Sequence, residues 1–152
     1  MSDANGKLHL EDFAVGQQFH AGPLDVTEAD VIAFATQFDP QPFHLDHEAA
    51  KDSLFKGLAA SGWHTAAMTM RMLVDGGAPI AGGIIGAGGE VSWPRPTYPG
   101  DRLRVITEIL EIKPSRSKPT QGFMKVRTTT FNQKDEPVQI LTANMLAFTK
   151  PA

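Results

Sequence analysis

Several features that mark common protein classes are missing from this sequence. It has no cysteine, which excludes disulfides, thiolate metal sites and cysteine nucleophiles. It has no excess of basic residues: the formal net charge is −3 at pH 7, which argues against binding to a nucleic-acid backbone. No apolar run approaches the roughly 20 residues that span a bilayer, and the start, MSDANGKLHLEDF, lacks the basic and apolar regions of a signal peptide. We therefore expect a soluble cytoplasmic protein with no nucleic-acid and no membrane partner.

The length and composition of the chain predict one domain over residues 1–152, and we expect the first ten residues to be flexible. The 152 residues are 41% hydrophobic, which is enough for a single core. Helical patterns come early. A capping box at 27–30 precedes an apolar stripe at 31–38, and Asp46 can cap a short second helix. A nearly all-apolar helix, capped by Ser61, is predicted over 62–74 and should be buried on most of its surface.

Strand patterns come late, at 103–113, 123–131 and 138–148. The apolar residues change parity within the first of these runs, which predicts a bulge. Between the last helix and the first of these strands, residues 82–91 are rich in glycine, and the proline-punctuated turn SWPRPTYPGD follows. The pattern predicts an α+β fold in which an antiparallel sheet wraps around one long apolar helix.

The loop FDPQPFHLDH holds the first candidate site. Pro40 and Pro42 restrict the backbone between Asp39 and His44, and catalysis needs reacting groups to be held this firmly. A carboxylate and an imidazole that share one water can divide acid and base roles at neutral pH. The alternative is an ordinary joint between helices, with Asp39 bonding to loop amides. His44 and His47 could suggest a metal, but no third ligand is marked, so we predict no metal site.

Other candidates lie further along the chain. Gly62 opens the apolar helix, where free N–H groups could stabilise an oxyanion, or where a small residue could simply allow close packing. Trp93 and Arg95 could line a pocket or lie on the surface. Arg116 and Lys118 could bind phosphates or form a solvated loop.

Taken together, three segments resemble the MaoC-type dehydratases, which are (R)-specific enoyl-CoA hydratases with a hot-dog fold. The segments are FDPQPFHLDHEAA, SLFKGLAASGWHTAAM and VSWPRPTYPGDRLRV. Asp39, His44, Phe55 and Gly62 occupy the positions of the hydratase motif, and Pro99-Gly100-Asp101 matches the family's turn. The resemblance covers roughly residues 16–148, and ASGWHTA is similar to the nodulation-protein-N-like subgroup.

The sequence departs from the family's pattern in three places. The usual Asn before the first loop proline is absent, Ser61 stands where a His often precedes Gly62, and Met70 stands where a serine often helps to hold the catalytic aspartate. Support for Asp39 must therefore come from another residue.

The resemblance implies reversible syn hydration of a trans-2-enoyl thioester, with Asp39 and His44 acting on one water and the Gly62 amide stabilising the oxyanion. It implies no metal and no cofactor beyond the CoA carried by the substrate, and a homodimer or a dimer of dimers. The residues expected on the substrate side are Pro42, Phe43, Ser61, Trp63, Trp93, Arg95, Arg116 and Lys118. Two alternatives stay open, namely a hot-dog acyl-CoA thioesterase and a non-catalytic acyl-CoA-binding protein.

Overall fold

A computed structural model describes residues 3–152 and contains one sheet and three α-helices in that range. The helices are α1 (Glu28–Phe38), α2 (His47–Lys51) and α3 (Gly62–Gly76), and short 3-10 turns span Leu10–Asp12 and Pro42–His44. The strands are β1 (Gln18–Asp25), β2 (Ile85–Ser92), β3 (Arg102–Pro114), β4 (Gln121–Phe131) and β5 (Pro137–Phe148). All neighbouring strands are antiparallel in the order β1-β3-β4-β5-β2, and α3 packs against the sheet. This confirms the predicted α+β hot-dog architecture.

Each α-helix begins at the cap that the sequence predicts. Thr27 accepts a hydrogen bond from the Asp30 amide, and Asp46 accepts from the first amides of α2. The Ser61 hydroxyl accepts from the Trp63 amide at the start of α3. Side-chain acceptors of this kind satisfy amides that have no partner inside the helix, so they fix where each helix starts.

The predicted burial of α3 on most of its surface is wrong for the single chain. One side, made of His64, Thr65, Met68, Thr69 and Met72, is buried. On the other side Trp63 is 61% exposed, Met70 42% and Val74 67%. Apolar composition shows that a helix avoids water, but a single sheet covers only one of its sides.

None of the helices in the described residues is long and apolar enough to cross a membrane.

The glycine-rich segment forms a strand that the sequence did not predict. β2 has the sequence IGAGGEVS and lies at the edge of the sheet, paired with β5. Glycines carry no side chain that could alternate between two faces, so the usual strand pattern is missing. A Cβ added at Gly89 would meet the backbone of β5 at Thr142 and Ala143, which explains the need for glycine there.

The bulge predicted in β3 is confirmed, because the register with β4 shifts between Ile109 and Glu111. The expected flexibility of the first ten residues stays a prediction, although their end packs against the rest of the chain. Leu8 forms a β-bridge with Ile80, and Leu10 is buried in the core. Residues 1–2 lie outside the described residues.

Candidate active site

Asp39 and His44 are brought together by the end of α1 and the turn that follows it. α1 ends at Phe38, and the Asp39 amide caps it by donating to the Ala35 carbonyl. The 3-10 turn beginning at Pro42 then reverses the chain. As a result His44 Nε2 lies 3.4 Å from Asp39 Oδ2, with both side chains largely buried.

The backbone fixes the orientation of the His44 ring. Its Nδ1 lies 2.6 Å from the carbonyl oxygen of Ala59, which can only accept, so Nδ1 carries the proton. In the neutral ring, Nε2 is then an unprotonated base facing Asp39. The rings of Phe43 and Phe55 pack against the imidazole, at 4.6 and 5.8 Å between centroids. These contacts leave the ring little freedom to turn.

Gln41 and Ser61 stabilise the Asp39 carboxylate in the absence of the usual serine. Gln41 Nε2 donates to Oδ1 at 2.6 Å, and the Ser61 side chain lies close enough to lower the pKa of the same carboxyl. Burial alone would raise the pKa of Asp39, but Gln41, Ser61 and the nearby His44 outweigh it and hold the pKa below its usual value. Met70 lies on the exposed side of α3. Ser61 and Gln41 therefore supply the support that the sequence left unassigned.

Gly62 brings the first amide of α3 to the same place. This N–H has no hydrogen-bond partner among residues 3–152, as expected at a helix start. A Cβ added at Gly62 would lie 2.8 Å from the indole ring of Trp93, closer than real Cβ atoms come to other atoms. The glycine therefore lets the Trp93 ring lie directly over the helix start.

A pocket of about 360 Å³ opens at this point. Its wall includes four of the predicted site residues: His44, Gly62, Trp93 and Arg95. The remaining lining residues are Leu54, Phe55, Ala60, Thr65, Pro94, Pro96 and Thr97. Asp39 is not part of the wall and joins the site through its contact with His44.

Four other predicted substrate-side residues lie near the pocket without lining it. Pro42 begins the turn that carries His44, and Phe43 packs against the core and Phe55. Ser61 is fully buried beneath Asp39. Trp63 is largely exposed and meets Trp93 edge to face, with 5.1 Å between ring centroids.

Within one chain, the structure does not bring Arg116 and Lys118 to the pocket. Ser92, the last residue of β2, directly precedes Trp93. The strand register, followed through β5 and β4, places Ser92 level with Ile106 of β3. Arg116 and Lys118 follow the end of β3 at Pro114, eight residues further along the strand, which corresponds to roughly 25 Å. They lie in the hairpin at the opposite end of the sheet.

Sequence reasoning missed several residues that shape the site. Thr65 and Thr97 form a buried hydrogen-bonded pair in the pocket wall, with 3.2 Å between their hydroxyl oxygens. Tyr98 donates its hydroxyl to the Phe55 carbonyl at 2.7 Å and so holds the backbone of a residue that lines the pocket. A sequence signal existed only for Thr65, which lies one helical turn after Gly62.

The described residues contain no group of three or more His, Cys, Asp or Glu side chains suited to a metal ion. His47 pairs with Glu28 of α1, so it does not join His44.

Comparisons with known proteins identify the family of this chain. A model of the MaoC-like domain matches residues 12–132. The uncharacterised protein YdeM of Bacillus subtilis is 36% identical over 134 residues, which cover 86% of this chain and 92% of YdeM.

Two solved structures share the fold. The MaoC-like dehydratase from Rhodospirillum rubrum has a TM-score of 0.93 and 56% identity over 95% of this chain and 99% of its own. The R-hydratase PhaJ1 of Pseudomonas aeruginosa has a TM-score of 0.76 and 28% identity over 95% and 88%. The more specific resemblance to nodulation-protein-N-like members stays a prediction. The family match covers most of the chain, and the chain therefore belongs to the MaoC-like dehydratase family.

Proposed function

We propose that this chain is an (R)-specific enoyl-CoA hydratase/dehydratase, a hydro-lyase that adds water reversibly to a trans-2-enoyl-CoA. The observation that carries the proposal is the 3.4 Å approach of His44 Nε2 to Asp39 Oδ2, because His44 lines the same pocket as Gly62, whose amide has no partner in the described residues. This reaction requires two groups that together hold one water. It also requires a hydrogen-bond donor for the thioester oxygen.

The two side chains take different parts in the proton transfer. Asp39, with its lowered pKa, is ionised at neutral pH and accepts a hydrogen bond from the water. His44 Nε2 takes one proton of that water as the oxygen forms its bond to the β-carbon. The electrons of the double bond move towards the thioester carbonyl. The protonated His44 then returns the proton to the α-carbon on the same face, so the net change is syn addition of one water.

The Gly62 amide stabilises the enolate oxygen that develops in this step. The first N–H of α3 also carries the positive end of the helix dipole. One well-placed donor of this kind contributes about 3 kcal/mol to the transition state. The Trp93 ring over Gly62 shields the amide from water on one side, which strengthens its effect.

The mouth of the pocket suits the CoA arm of the substrate. Arg95 is half exposed there and pairs with Glu136 at 3.7 Å, a weak contact that leaves it able to meet a phosphate. No metal or separate cofactor takes part in the proposed reaction. Within a single chain, Arg116 and Lys118 have no role in substrate binding in the proposed reaction.

We propose that the protein is a homodimer. Trp63, Met70 and Val74 present an exposed apolar strip along α3, and β2 offers a free strand edge. Contiguous apolar surface of this kind marks an interaction site. Replacing Met70 and Val74 together with glutamate should shift the protein from dimer to monomer in light scattering after size-exclusion chromatography. A wild-type protein that elutes as a monomer would contradict the proposal.

One assay tests the proposed activity against its alternatives. Purified protein is incubated with crotonyl-CoA while the enoyl absorbance and free thiol are followed together. Loss of absorbance without thiol supports the hydratase. Release of thiol would instead indicate a thioesterase, and binding without either change would indicate an acyl-CoA-binding protein.

A further inference from the structure

The core beneath α3 is divided by a row of polar side chains. One apolar cluster includes Leu103 and Val105 of β3, and a second includes Ile109 of the same strand. Thr107, which lies between them, is polar. We call this row the polar belt; it consists of Thr69, Thr107, Thr128, Thr130 and Gln139, all buried.

The polar belt is closed by its own hydrogen bonds. The Thr69 hydroxyl donates to the Thr65 carbonyl and lies 2.7 Å from the Thr130 hydroxyl. Gln139 Nε2 donates to Thr69 at 3.4 Å, while Gln139 Oε1 accepts from the indole N–H of Trp93 at 2.9 Å. An indole N–H can only donate, so this contact fixes the orientation of the amide.

The polar belt lies where the acyl chain of a substrate would extend. The pocket has its mouth at the exposed Leu54 and Arg95, and its floor at the buried Thr65–Thr97 pair. Thr69 of the belt is one turn further along α3. A chain that passed the floor would have to separate hydrogen-bonded groups and leave them unpaired against methylenes, which is costly in a buried site.

There is also little room beyond the polar belt. A small cavity of about 30 Å³ lies on its far side, lined by Thr107, Thr128 and apolar side chains that include Leu73 and Met145. That space would hold about one water.

We infer that the polar belt ends the acyl pocket at Thr65 and Thr97, so that the site takes short acyl groups of about four carbons. Gln139 is then a specificity-determining and positioning residue. The inference rests on the proposed function for its assignment of the pocket to an acyl-CoA. Gln139 acts in two ways: it closes the pocket through Thr69, and it holds the Trp93 ring over Gly62.

Binding of saturated thioesters tests the inference without requiring catalysis. Butyryl-CoA and octanoyl-CoA are titrated by calorimetry, and quenching of the fluorescence of Trp63 and Trp93 is followed in parallel. A continuous apolar channel would favour octanoyl-CoA by roughly two hundredfold, from four extra buried methylenes. We expect octanoyl-CoA to bind no more than about threefold tighter than butyryl-CoA, and a larger advantage overturns the inference.

Variants locate the effect in the polar belt. Gln139→Ala should improve octanoyl-CoA binding relative to butyryl-CoA about tenfold. Thr69→Ala should move the same ratio in the same direction and serves if Gln139→Ala does not fold. The control is Asn144→Ala, which removes an exposed amide from the same strand and should leave the ratio unchanged. An unchanged ratio in the folded belt variants overturns the inference.

The hydratase proposal is judged separately on crotonyl-CoA. A wild-type protein with the expected binding ratio but no hydration refutes the proposed function and leaves the acyl-size inference standing. A protein that hydrates crotonyl-CoA but binds octanoyl-CoA far more tightly gives the reverse result. A protein that binds neither thioester refutes both.

Discussion

Ser61→Ala should weaken both the fold and the candidate site, because one hydroxyl performs two tasks. It caps α3 by accepting from the Trp63 amide at 3.2 Å, and it lowers the pKa of Asp39. Loss of an N-cap costs about 1 kcal/mol. Loss of the weaker stabilisation of ionised Asp39 adds at most about 1 kcal/mol, because this carboxylate keeps some exposure. We expect a total loss of about 1–2 kcal/mol in the free energy of unfolding, measured by urea denaturation.

The same change should alter the titration of Asp39. The Ser61 side chain helps to keep the pKa of Asp39 below its usual value. Without it the pKa rises, so Asp39 becomes protonated at a higher pH. The Asp39 titration, followed by NMR of the side-chain carboxyl carbon, should therefore move to higher pH. The stability that ionised Asp39 contributes is lost as pH falls through its folded pKa, and this loss should also begin at a higher pH.

Thr27→Ala is the matched control for Ser61→Ala. Thr27 caps the start of α1 by accepting from Asp30 at 3.1 Å, whereas Asp39 lies at the other end of that helix. Thr27→Ala should cost about 1 kcal/mol of stability and leave the Asp39 titration unmoved. If Ser61→Ala also leaves the Asp39 titration unmoved, the reasoning about Asp39 is refuted, and Ser61 is a helix cap alone.

Two further predictions concern α3. Gly62→Ala should displace the Trp93 ring, because a new Cβ would lie 2.8 Å from it. We expect turnover to fall about tenfold or more and the tryptophan emission to change. Wild-type turnover with unchanged emission would contradict the packing of Trp93 on Gly62. Burial lowers the pKa of His64 below its usual 6.5, although Asp30 opposes this. The unfolded chain therefore binds the proton more readily, and stability is lost as pH falls below about 6.5. His64→Phe, which keeps the stacking on Phe34, should reduce that loss in denaturation measured between about pH 7 and 5, and an unchanged slope would show that His64 is not its source.

The sequence was most informative where structure and function are local. Asp39 and His44 are five residues apart, and the prolines between them restrict the chain enough to predict a fixed pair. Helix caps are also local, so the starts of all three helices could be placed. The hot-dog architecture followed from early helices, late strands and the family resemblance.

Features that depend on distant residues could not be predicted in the same way. Ser61 reaches Asp39 across 22 positions of the chain, and Trp93 bonds to Gln139 across 46. β2 escaped notice because its glycines give no alternation. The exposed side of α3 was missed because composition does not reveal which surface another element covers.

The central claim is that Asp39 and His44 act together on one water. Asp39→Asn tests it most directly, because the amide keeps the size of the side chain while it removes the charge that His44 faces at 3.4 Å. With crotonyl-CoA as substrate and unfolding checked alongside, the initial rate of enoyl loss should fall by about a hundredfold or more in the folded variant. A rate within about threefold of wild type would contradict the account.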